Sequence, residues 1–304
     1  MKLFASKNNE LKSINEIPFK LEKEIQSITE KNLELIFGLE FVESEFSLNN
    51  FRIDSLAFDN KLHSFVIIEY KNTKNFSVID QGYSYLSLLL NNKAEFVLRY
   101  NELMGQNLKK DSVDWSQSRV IFVSPTYTVY QKESINFKDL PIELWEVKQF
   151  ENNTVMYLPI KANKTTESIN TITSNDLTIS AVSQEVKTYS EDTHLNGLSA
   201  NVVELYEAIK TEILNLGDVT LKPTKLYIAF VGNKRNIVDL VFKKNKIMVY
   251  INLKYSEIED YKQKVRDVTN IGKWGNGDCE FTLTDSEDID YLMTLIKQSY
   301  KKNG

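Results

Sequence analysis

The sequence predicts an α/β protein with two domains, and three observations support this prediction. The chain has 304 residues, which is too long for one ordinary small domain and about right for two. Apolar residues make up 42% of the chain and charged residues 26%, so the chain can bury hydrophobic cores. Helix-like and strand-like patterns recur on both sides of a stretch rich in Ser, Thr and Asn. We therefore predict a first domain over residues 1–160, a linker over 161–195 and a second domain over 196–304.

The first domain is predicted to begin with a helix and to continue with three strands. Apolar residues recur at helical spacing over residues 21–36, and Gly38 is a natural helix stop. Strand-like runs follow at residues 39–48, 51–59 and 64–71, separated by turn signals that contain Asn and Asp. The third run is apolar almost throughout, which is typical of a central strand buried on both faces.

Further helices and strands complete the first domain. The pattern predicts helices over residues 78–91 and 94–103, a buried strand at 118–125, and strands at 142–150 and 155–160. The order helix, three strands, helix and strand indicates a mixed sheet flanked by helices.

The second domain is predicted to be a compact α+β unit. Its predicted elements, in chain order, are a helix at 202–214, strands at 226–232, 237–243 and 246–254, a helix at 257–267, a strand at 279–284 and a helix at 289–300. Glycines surround Trp274 in the loop that precedes the last strand. We interpret this loop as a helix stop followed by a tight turn, and the alternative is a binding loop whose Trp stacks on a base.

Charge and residue counts exclude several classes of protein. The net charge is -5, which argues mildly against a purely electrostatic nucleic-acid binder. Cys279 is the sole cysteine, and the two histidines, His63 and His194, lie far apart in the sequence. These counts exclude an internal disulfide, a Cys-based zinc site and an H-E-x-x-H protease. Cys279 is therefore predicted to be a small buried residue near a strand.

The sequence contains no recognisable targeting or membrane segment. The N-terminus lacks the apolar stretch of a secretory signal, and no apolar run approaches the roughly 18 residues of a membrane span. We therefore predict a cytoplasmic protein without a membrane partner.

Three residues with complementary chemistry lie on two consecutive predicted strands. Asp54 is in the middle of the second strand, and Glu69 and Lys71 are at the end of the third. Residues two apart on a strand point to the same face, so Glu69 and Lys71 project together. If the two strands pair as a hairpin, Asp54 comes alongside Glu69. Two carboxylates beside a lysine suit a hard divalent cation such as Mg²⁺, which would polarise a phosphate and activate a water.

The helices next to these strands offer further polar groups. Gln81 and Tyr85 are four residues apart, so they share one face of the helix that follows. The helix that precedes the strands carries Glu22, Glu24, Glu30 and Glu34. Any of these four glutamates could lean over the end of the sheet, and the choice among Glu22, Glu30 and Glu34 stays open.

These residues form three short motifs in a fixed order. The motifs are Ile53-Asp54, Glu69-Tyr70-Lys71 and Gln81-x-x-x-Tyr85. Together with the preceding helix they resemble the PD-(D/E)XK, or restriction-endonuclease-like, nuclease superfamily, and within it the RecB-like branch with a Gln-x-x-x-Tyr element. The resemblance covers roughly residues 20–100. Ile53 stands where the short motif has proline.

The resemblance implies a role for each of these residues. Asp54 and Glu69 would bind Mg²⁺ or Mn²⁺, and Lys71 would be the catalytic lysine. Gln81 and Tyr85 would line the site and contact the nucleic-acid backbone. Residues 200–302 resemble a small domain of unknown function that recurs at the C-terminus of nuclease-like and restriction-type bacterial proteins, and that resemblance implies no chemistry.

Two functions are therefore predicted. The first is a Mg²⁺- or Mn²⁺-dependent nuclease that hydrolyses phosphodiester bonds of DNA in defence or repair; DNA is favoured over RNA, and the sequence does not decide between them. The alternative is a non-catalytic protein that binds nucleic acid or protein and keeps the nuclease fold as a scaffold, which the acidic charge of residues 1–160 favours. The sequence leaves open whether the protein forms a homodimer, which would suit a nuclease that cuts both strands.

Overall fold

The structure, a computed structural model, describes residues 2–72, 77–137, 140–161, 176–232, 235–271 and 276–304. The chain divides into two units, Met1–Thr188 and Tyr189–Gly304. The first unit has a mixed sheet flanked by helices, and the second is a smaller α+β unit. Both features of the predicted fold class are thereby confirmed.

The first unit contains six helices and nine strands within the described residues. The helices are α1 (Glu22–Glu30), α2 (Leu33–Phe37), α3 (Val78–Asn91), α4 (Lys93–Met104), α5 (Val129–Ser134) and α6 (Leu177–Glu185). The strands are β1 (Leu3–Lys7), β2 (Glu10–Ile14), β3 (Glu16–Ile17), β4 (Glu40–Leu48), β5 (Phe51–Asp59), β6 (Ser64–Tyr70), β7 (Arg119–Ser124), β8 (Ile142–Phe150) and β9 (Val155–Ile160). Strands β1 and β2 form a separate hairpin.

The large sheet has the strand order β3-β8-β7-β6-β5-β4, with β9 also paired to β8. Strands β4, β5 and β6 form an antiparallel meander, whereas β6, β7 and β8 run parallel to one another. The carboxyl ends of β6, β7 and β8 therefore lie at one edge of the sheet, together with the amino-terminal half of β5. We call this edge the carboxyl edge, and the predicted site residues of β5 and β6 lie along it.

The central strand β6 is buried along its whole length, as the apolar run predicted. Its successive side chains pack alternately into two cores on opposite faces of the sheet. Phe65 and Ile67 belong to the core that includes α3 and α4, whereas Val66 and Ile68 belong to the core that includes α1 and α2. The sheet is therefore a middle layer between two helical layers.

The predicted N-terminal helix is divided in two. Helix α1 ends at Glu30, and the Asn32 side chain donates to the Ile28 carbonyl at 2.7 Å. An Asn side chain that bonds the backbone in this way competes with helix continuation, which explains the break before α2. Gly38 ends α2 with a φ of 67°, as predicted.

The described part of the predicted linker 161–195 contains two helices. Helix α6 buries Ile179 and Val182 in the same core as α3, so residues 176–188 belong to the first unit. The Ser- and Thr-rich composition predicted a connector because this helix carries few large apolar residues. Residues 191–195 form a helix of the second unit. The remainder of the predicted linker, 162–175, lies outside the described residues.

The second unit is an antiparallel sheet with helices against one core. Its helices are α7 (Glu191–Leu195), α8 (Ala200–Leu214) and α9 (Ile289–Asn303), and its strands are β10 (Thr220–Pro223), β11 (Ile228–Val231), β12 (Asn236–Lys243), β13 (Lys246–Ile251), β14 (Arg266–Asp267) and β15 (Cys279–Leu283). The strand order is β10-β11-β12-β13-β15-β14. The core includes residues of both α8 and α9, and Cys279 is fully buried in it, as predicted.

The helix predicted over residues 257–267 is wrong. The chain there forms one short 3-10 turn that ends at Glu257 and then a loop, with a turn at residues 261–262, that leads into β14. Asp260 accepts a hydrogen bond from the Val265 backbone N–H at 2.7 Å, so a side chain closes this loop where a helix would have used backbone carbonyls. The loop with Trp274 lies outside the described residues. No described helix combines the length and the apolar character needed to cross a membrane.

Candidate active site

The pairing of β5 with β6 brings the two predicted metal-binding carboxylates together. Ser55 lies opposite Ile68 in this antiparallel pair, so Asp54 and Glu69 come next to each other one position further along. The Asp54 Oδ2 atom accepts a hydrogen bond from the Tyr70 backbone N–H at 2.9 Å. Burial and the neighbouring Glu69 charge together raise the pKa of Asp54 to about 6. A carboxyl group that is harder to ionise than usual is a common mark of a functional site.

Glu69 is the most buried group of the site, with 3% of its surface exposed. Its Oε1 atom accepts hydrogen bonds from Lys71 Nζ at 2.6 Å and from Gln81 Nε2 at 2.8 Å. Its Oε2 atom is buried and has no hydrogen-bond partner within the described residues. A buried carboxylate oxygen without a partner is costly, so this atom calls for a ligand such as a cation.

Helix α3 supplies the other two predicted residues. Ser77 caps the helix by accepting from the Asp80 backbone N–H, which fixes the first turn beside the sheet. One turn further, Gln81 Nε2 also lies 3.1 Å from the Tyr85 hydroxyl, which donates to the Arg52 carbonyl at 3.3 Å. Burial, aided by the Glu69 charge, raises the pKa of Tyr85 well above its ordinary value, so its hydroxyl stays protonated.

The structure therefore brings all five predicted site residues together at the carboxyl edge. Hydrogen bonds connect Lys71 to Glu69, Glu69 to Gln81, and Gln81 to Tyr85. Asp54 joins them through its pairing position and through the Tyr70 backbone. The five side chains come from two strands and one helix.

The three candidate glutamates of the preceding helices occupy different places. Glu22 reaches the carboxyl edge, where its Oε2 atom accepts from the Asn72 backbone N–H at 2.9 Å, and its charge contributes to the raised pKa of Asp54. Glu30 accepts from Ser55 Oγ at 2.6 Å, on the face of the sheet opposite Asp54. Glu34 is exposed on α2. Glu22 is thus the helix glutamate that lies beside the site.

Two neighbours of the site were missed by sequence reasoning. Gln26 of α1 donates to the Asp54 carbonyl at 2.9 Å, and Glu45 of β4 contacts both Lys23 and Arg52. Neither residue belongs to a recognisable spacing, because each reaches the site through tertiary packing. Only a structure could have revealed them.

The residues present fit a hard divalent cation. Among the described residues, no three Asp, Glu, His or Cys side chains converge as a metal-binding group. Mg²⁺ commonly binds through one or two carboxylates and completes its shell with water and phosphate oxygens. Asp54 and Glu69 offer such a pair, and the unpartnered Glu69 Oε2 is an available ligand atom.

Comparison with known proteins finds a family model that matches the C-terminal unit and a relative that matches the whole chain. Residues 191–303 match the family model "Domain of unknown function (DUF5655)", which confirms the predicted C-terminal domain. A Haemophilus influenzae protein described as "Uncharacterized protein" is 45% identical over 302 residues, which cover 99% of this chain and 100% of that protein. The chain therefore belongs to the same protein family as this Haemophilus protein.

Three solved structures are similar to part of the chain. The EndoMS–dsDNA2 complex is 18% identical over 47% of this chain and 49% of its own, with a TM-score of 0.23. A repair endonuclease from Pyrococcus abyssi is 20% identical over 40% and 45%, with a TM-score of 0.23. Pyrococcus furiosus SfsA in complex with Ca²⁺ is 12% identical over 46% and 63%, with a TM-score of 0.25. The chain spans about half the length of the first two proteins. TM-scores this low support no conclusion about the function of this chain.

Proposed function

We propose that this protein is a divalent-metal-dependent nuclease that hydrolyses phosphodiester bonds of DNA, with its active site at the carboxyl edge of the first unit. The observation that carries the proposal is the buried Glu69 Oε2 atom, which has no partner in the described residues and lies beside Asp54. A buried carboxylate and a half-buried one placed side by side repel each other, and a shared cation would remove that repulsion.

Asp54 and Glu69 would hold the ion, for which Mg²⁺ and Mn²⁺ are the chemical matches. When bound, such an ion supplies a Lewis acid that polarises a phosphate oxygen. Both carboxylates must be ionised to hold it, and with a pKa of about 6 Asp54 is largely ionised at neutral pH. Asp54 therefore carries the negative charge needed for metal binding only above mildly acidic pH.

Lys71 is placed to act on the phosphate or on the attacking water. Its ammonium group contacts Glu69 at 2.6 Å, and its side chain is only 17% exposed. A half-buried cation at this position can stabilise the negative charge that grows on the phosphate, or orient the water that attacks it. Gln81 holds the other side of the same Glu69 oxygen, so the carboxylate has little freedom to rotate.

Tyr85 and Glu22 complete the walls of the site. Tyr85 presents a protonated hydroxyl that can donate to a phosphate oxygen in place of the Arg52 carbonyl. Glu22 is the acidic neighbour of Asp54 that lies at the mouth. DNA is proposed as the substrate in preference to RNA. The formation of a homodimer remains a prediction from the sequence.

The alternative function is a non-catalytic binding protein on the same scaffold. The observation that favours it is that no third carboxylate joins Asp54 and Glu69 as a metal-binding group in the described residues. In that case Lys71 and Gln81 would serve only to neutralise and hold Glu69. The two functions differ in one observable, which is cleavage.

Cleavage assays with matched variants test the proposal. Wild type, Asp54→Asn and Glu69→Gln would be incubated with plasmid, single-stranded DNA and RNA, each with Mg²⁺, Mn²⁺ or EDTA. Glu34→Gln is the control, because Glu34 is exposed and away from the site. The proposal expects metal-dependent cutting of DNA by wild type and Glu34→Gln, and its loss in the two site variants. Binding without cleavage under every condition would support the alternative.

A further inference from the structure

Glu45 has an unusual backbone conformation in the middle of strand β4. Its φ is 59°, in the left-handed region that residues other than Gly and Asn rarely adopt. It lies next to the site, because the flanking pairs Ser44–Ser55 and Phe46–Ile53 place it across from Asp54. Backbone strain of this kind clusters at functional sites, so the contacts of Glu45 are informative.

The Glu45 carboxylate holds two cations from different elements. Its Oε2 atom contacts Arg52 Nε, and its Oε1 atom lies 2.8 Å from Lys23 Nζ. The hydrogen bonds from Arg52 and Lys23 outweigh partial burial and lower the pKa of Glu45 to about 2, so its charge persists at any relevant pH. We call these three residues the Glu45 clamp.

Both cations of the clamp are largely exposed to solvent near the candidate active site. The Arg52 side chain is 67% exposed and the Lys23 side chain 61%. Arg52 is two residues from Asp54 on the same strand, and the Asp54 charge contributes to the raised pKa of Arg52. The Tyr85 hydroxyl holds the Arg52 carbonyl, which fixes the backbone beneath this side chain.

The guanidinium group of Arg52 retains donors for a ligand. Glu45 engages its Nε, and within the described residues neither terminal nitrogen has a hydrogen-bond partner. A guanidinium with two outward N–H groups matches the geometry of a phosphate, and a fixed neighbouring ammonium adds a second positive charge. The two cations outnumber the single carboxylate that positions them, so the clamp carries one net positive charge toward solvent.

We propose that Arg52 and Lys23, held in place by Glu45, bind the phosphodiester backbone of the nucleic-acid strand next to the phosphate in the site. This inference rests on the proposed function, because it assigns the strand-binding surface of the same site. The clamp also explains how a chain of net charge -5 could engage a polyanion, since the positive charge is local.

The test is the salt dependence of oligonucleotide binding. Fluorescence anisotropy of a fluorescein-labelled oligonucleotide, single-stranded and duplex, would be measured in EDTA over a series of KCl concentrations. The variants are Arg52→Ala and Lys23→Ala, and the control is Arg266→Ala, an arginine of the second unit with 62% exposure and a strand glutamate partner. Because the mutated side chains are exposed, circular dichroism and thermal melting are expected to match wild type.

We expect Arg52→Ala to raise the Kd about 10-fold at low salt and Lys23→Ala to raise it about 3-fold. The slope of log K against log salt should fall by about one in each variant. In cleavage assays Arg52→Ala should raise KM and leave kcat unchanged. An equal loss of binding in Arg266→Ala, or an unchanged Kd and slope in Arg52→Ala, would overturn the inference.

The outcomes separate this inference from the proposed function. Cleavage by wild type with no change of KM or Kd in Arg52→Ala refutes the clamp and leaves the nuclease standing. Binding that depends on Arg52, without cleavage by wild type, supports the clamp and refutes the nuclease. A fall in kcat without a change in Kd would show that Arg52 acts on Asp54 instead, which also overturns the inference.

Discussion

The two ends of the central strands each bury charged side chains, but in opposite arrangements. At the amino end of β7, Arg119 lies between Asp59 and Glu143, with contacts of 3.1 and 2.8 Å. Burial disfavours the Arg119 charge, yet Glu143 and Asp59 outweigh it and raise the pKa of the guanidinium. Here a cation separates two carboxylates, and each charge stabilises its neighbour.

At the carboxyl edge the two carboxylates face each other instead. The pKa of Asp54 is raised to about 6, which means that its charged form is disfavoured, and one oxygen of Glu69 is unpartnered in the described residues. The first cluster therefore neutralises its buried carboxylates, although Arg119 Nη1 is itself unpartnered in the described residues, whereas the second holds two carboxylates side by side at a cost. A fold retains such a cost where a ligand removes it, and this difference separates structural charge from functional charge.

The largest expected effect is the loss of stability on removing Arg119. Arg119→Leu would leave the buried Asp59 carboxylate without its guanidinium, and we expect the free energy of unfolding to fall by about 3–5 kcal/mol. Urea denaturation followed by circular dichroism measures this change. As a control, Arg99→Leu removes a less buried pair with Glu43 and should cost clearly less than Arg119→Leu. Equal effects of the two variants would contradict the structural role of Arg119.

The next effect is a loss of activity without a comparable loss of stability. Glu69→Gln removes a metal ligand of the proposed site, so cleavage should fall by about 100-fold or more. The same change removes the repulsion between Glu69 and Asp54 but also the ion pair between Glu69 and Lys71, so the free energy of unfolding without metal should change much less than it does in Arg119→Leu. A strongly destabilised Glu69→Gln variant would show instead that Glu69 stabilises the fold, as Asp59 does.

The smallest effect concerns pH. The pKa of Asp54 is about 6 in the folded chain against an ordinary value of 3.8, so between these values the folded chain keeps a proton that the unfolded chain has lost. Stability without metal should therefore fall as pH rises from about 4 to about 6, and Asp54→Asn should lack this component. Denaturation midpoints of both proteins across this range measure it. A wild-type stability that rises relative to Asp54→Asn in this window would refute the raised pKa.

Metal binding should show its effect at the pH values above this window. Above pH of about 6 the ionised pair can bind Mg²⁺, so added Mg²⁺ should raise the melting temperature of wild type and not that of Glu69→Gln. Metal stabilisation that is equal in both proteins would indicate a binding site elsewhere.

The sequence predicted which residues of the candidate site share a face because the relevant spacings are local. Glu69 and Lys71 are two apart on a strand, and Gln81 and Tyr85 are four apart on a helix, so each pair shares a face whatever the rest of the fold does. Asp54 required one further assumption, the hairpin pairing of β5 with β6, which the structure bears out. Local spacing therefore determined each pair, whereas the approach of α3 to β6 depends on long-range packing.

The choice among Glu22, Glu30 and Glu34 could not be made from the sequence. It depends on where α1 ends and which of its residues reach past the sheet, and both are set by packing and by the Asn32 break. Glu45 could not be predicted either, because its left-handed conformation depends on the strand opposite. Helix α6 was missed because its buried face consists of few apolar residues in a polar stretch.

The most direct test of the central claim is a crystal of the wild-type protein soaked in Mn²⁺ and measured at the manganese absorption edge. We expect an anomalous peak at ligand distance from Glu69 Oε2 and from the Asp54 carboxylate, and no such peak in crystals of Glu69→Gln. A soaked wild-type crystal that shows no peak between these two carboxylates would contradict the assignment of a metal-dependent active site at the carboxyl edge.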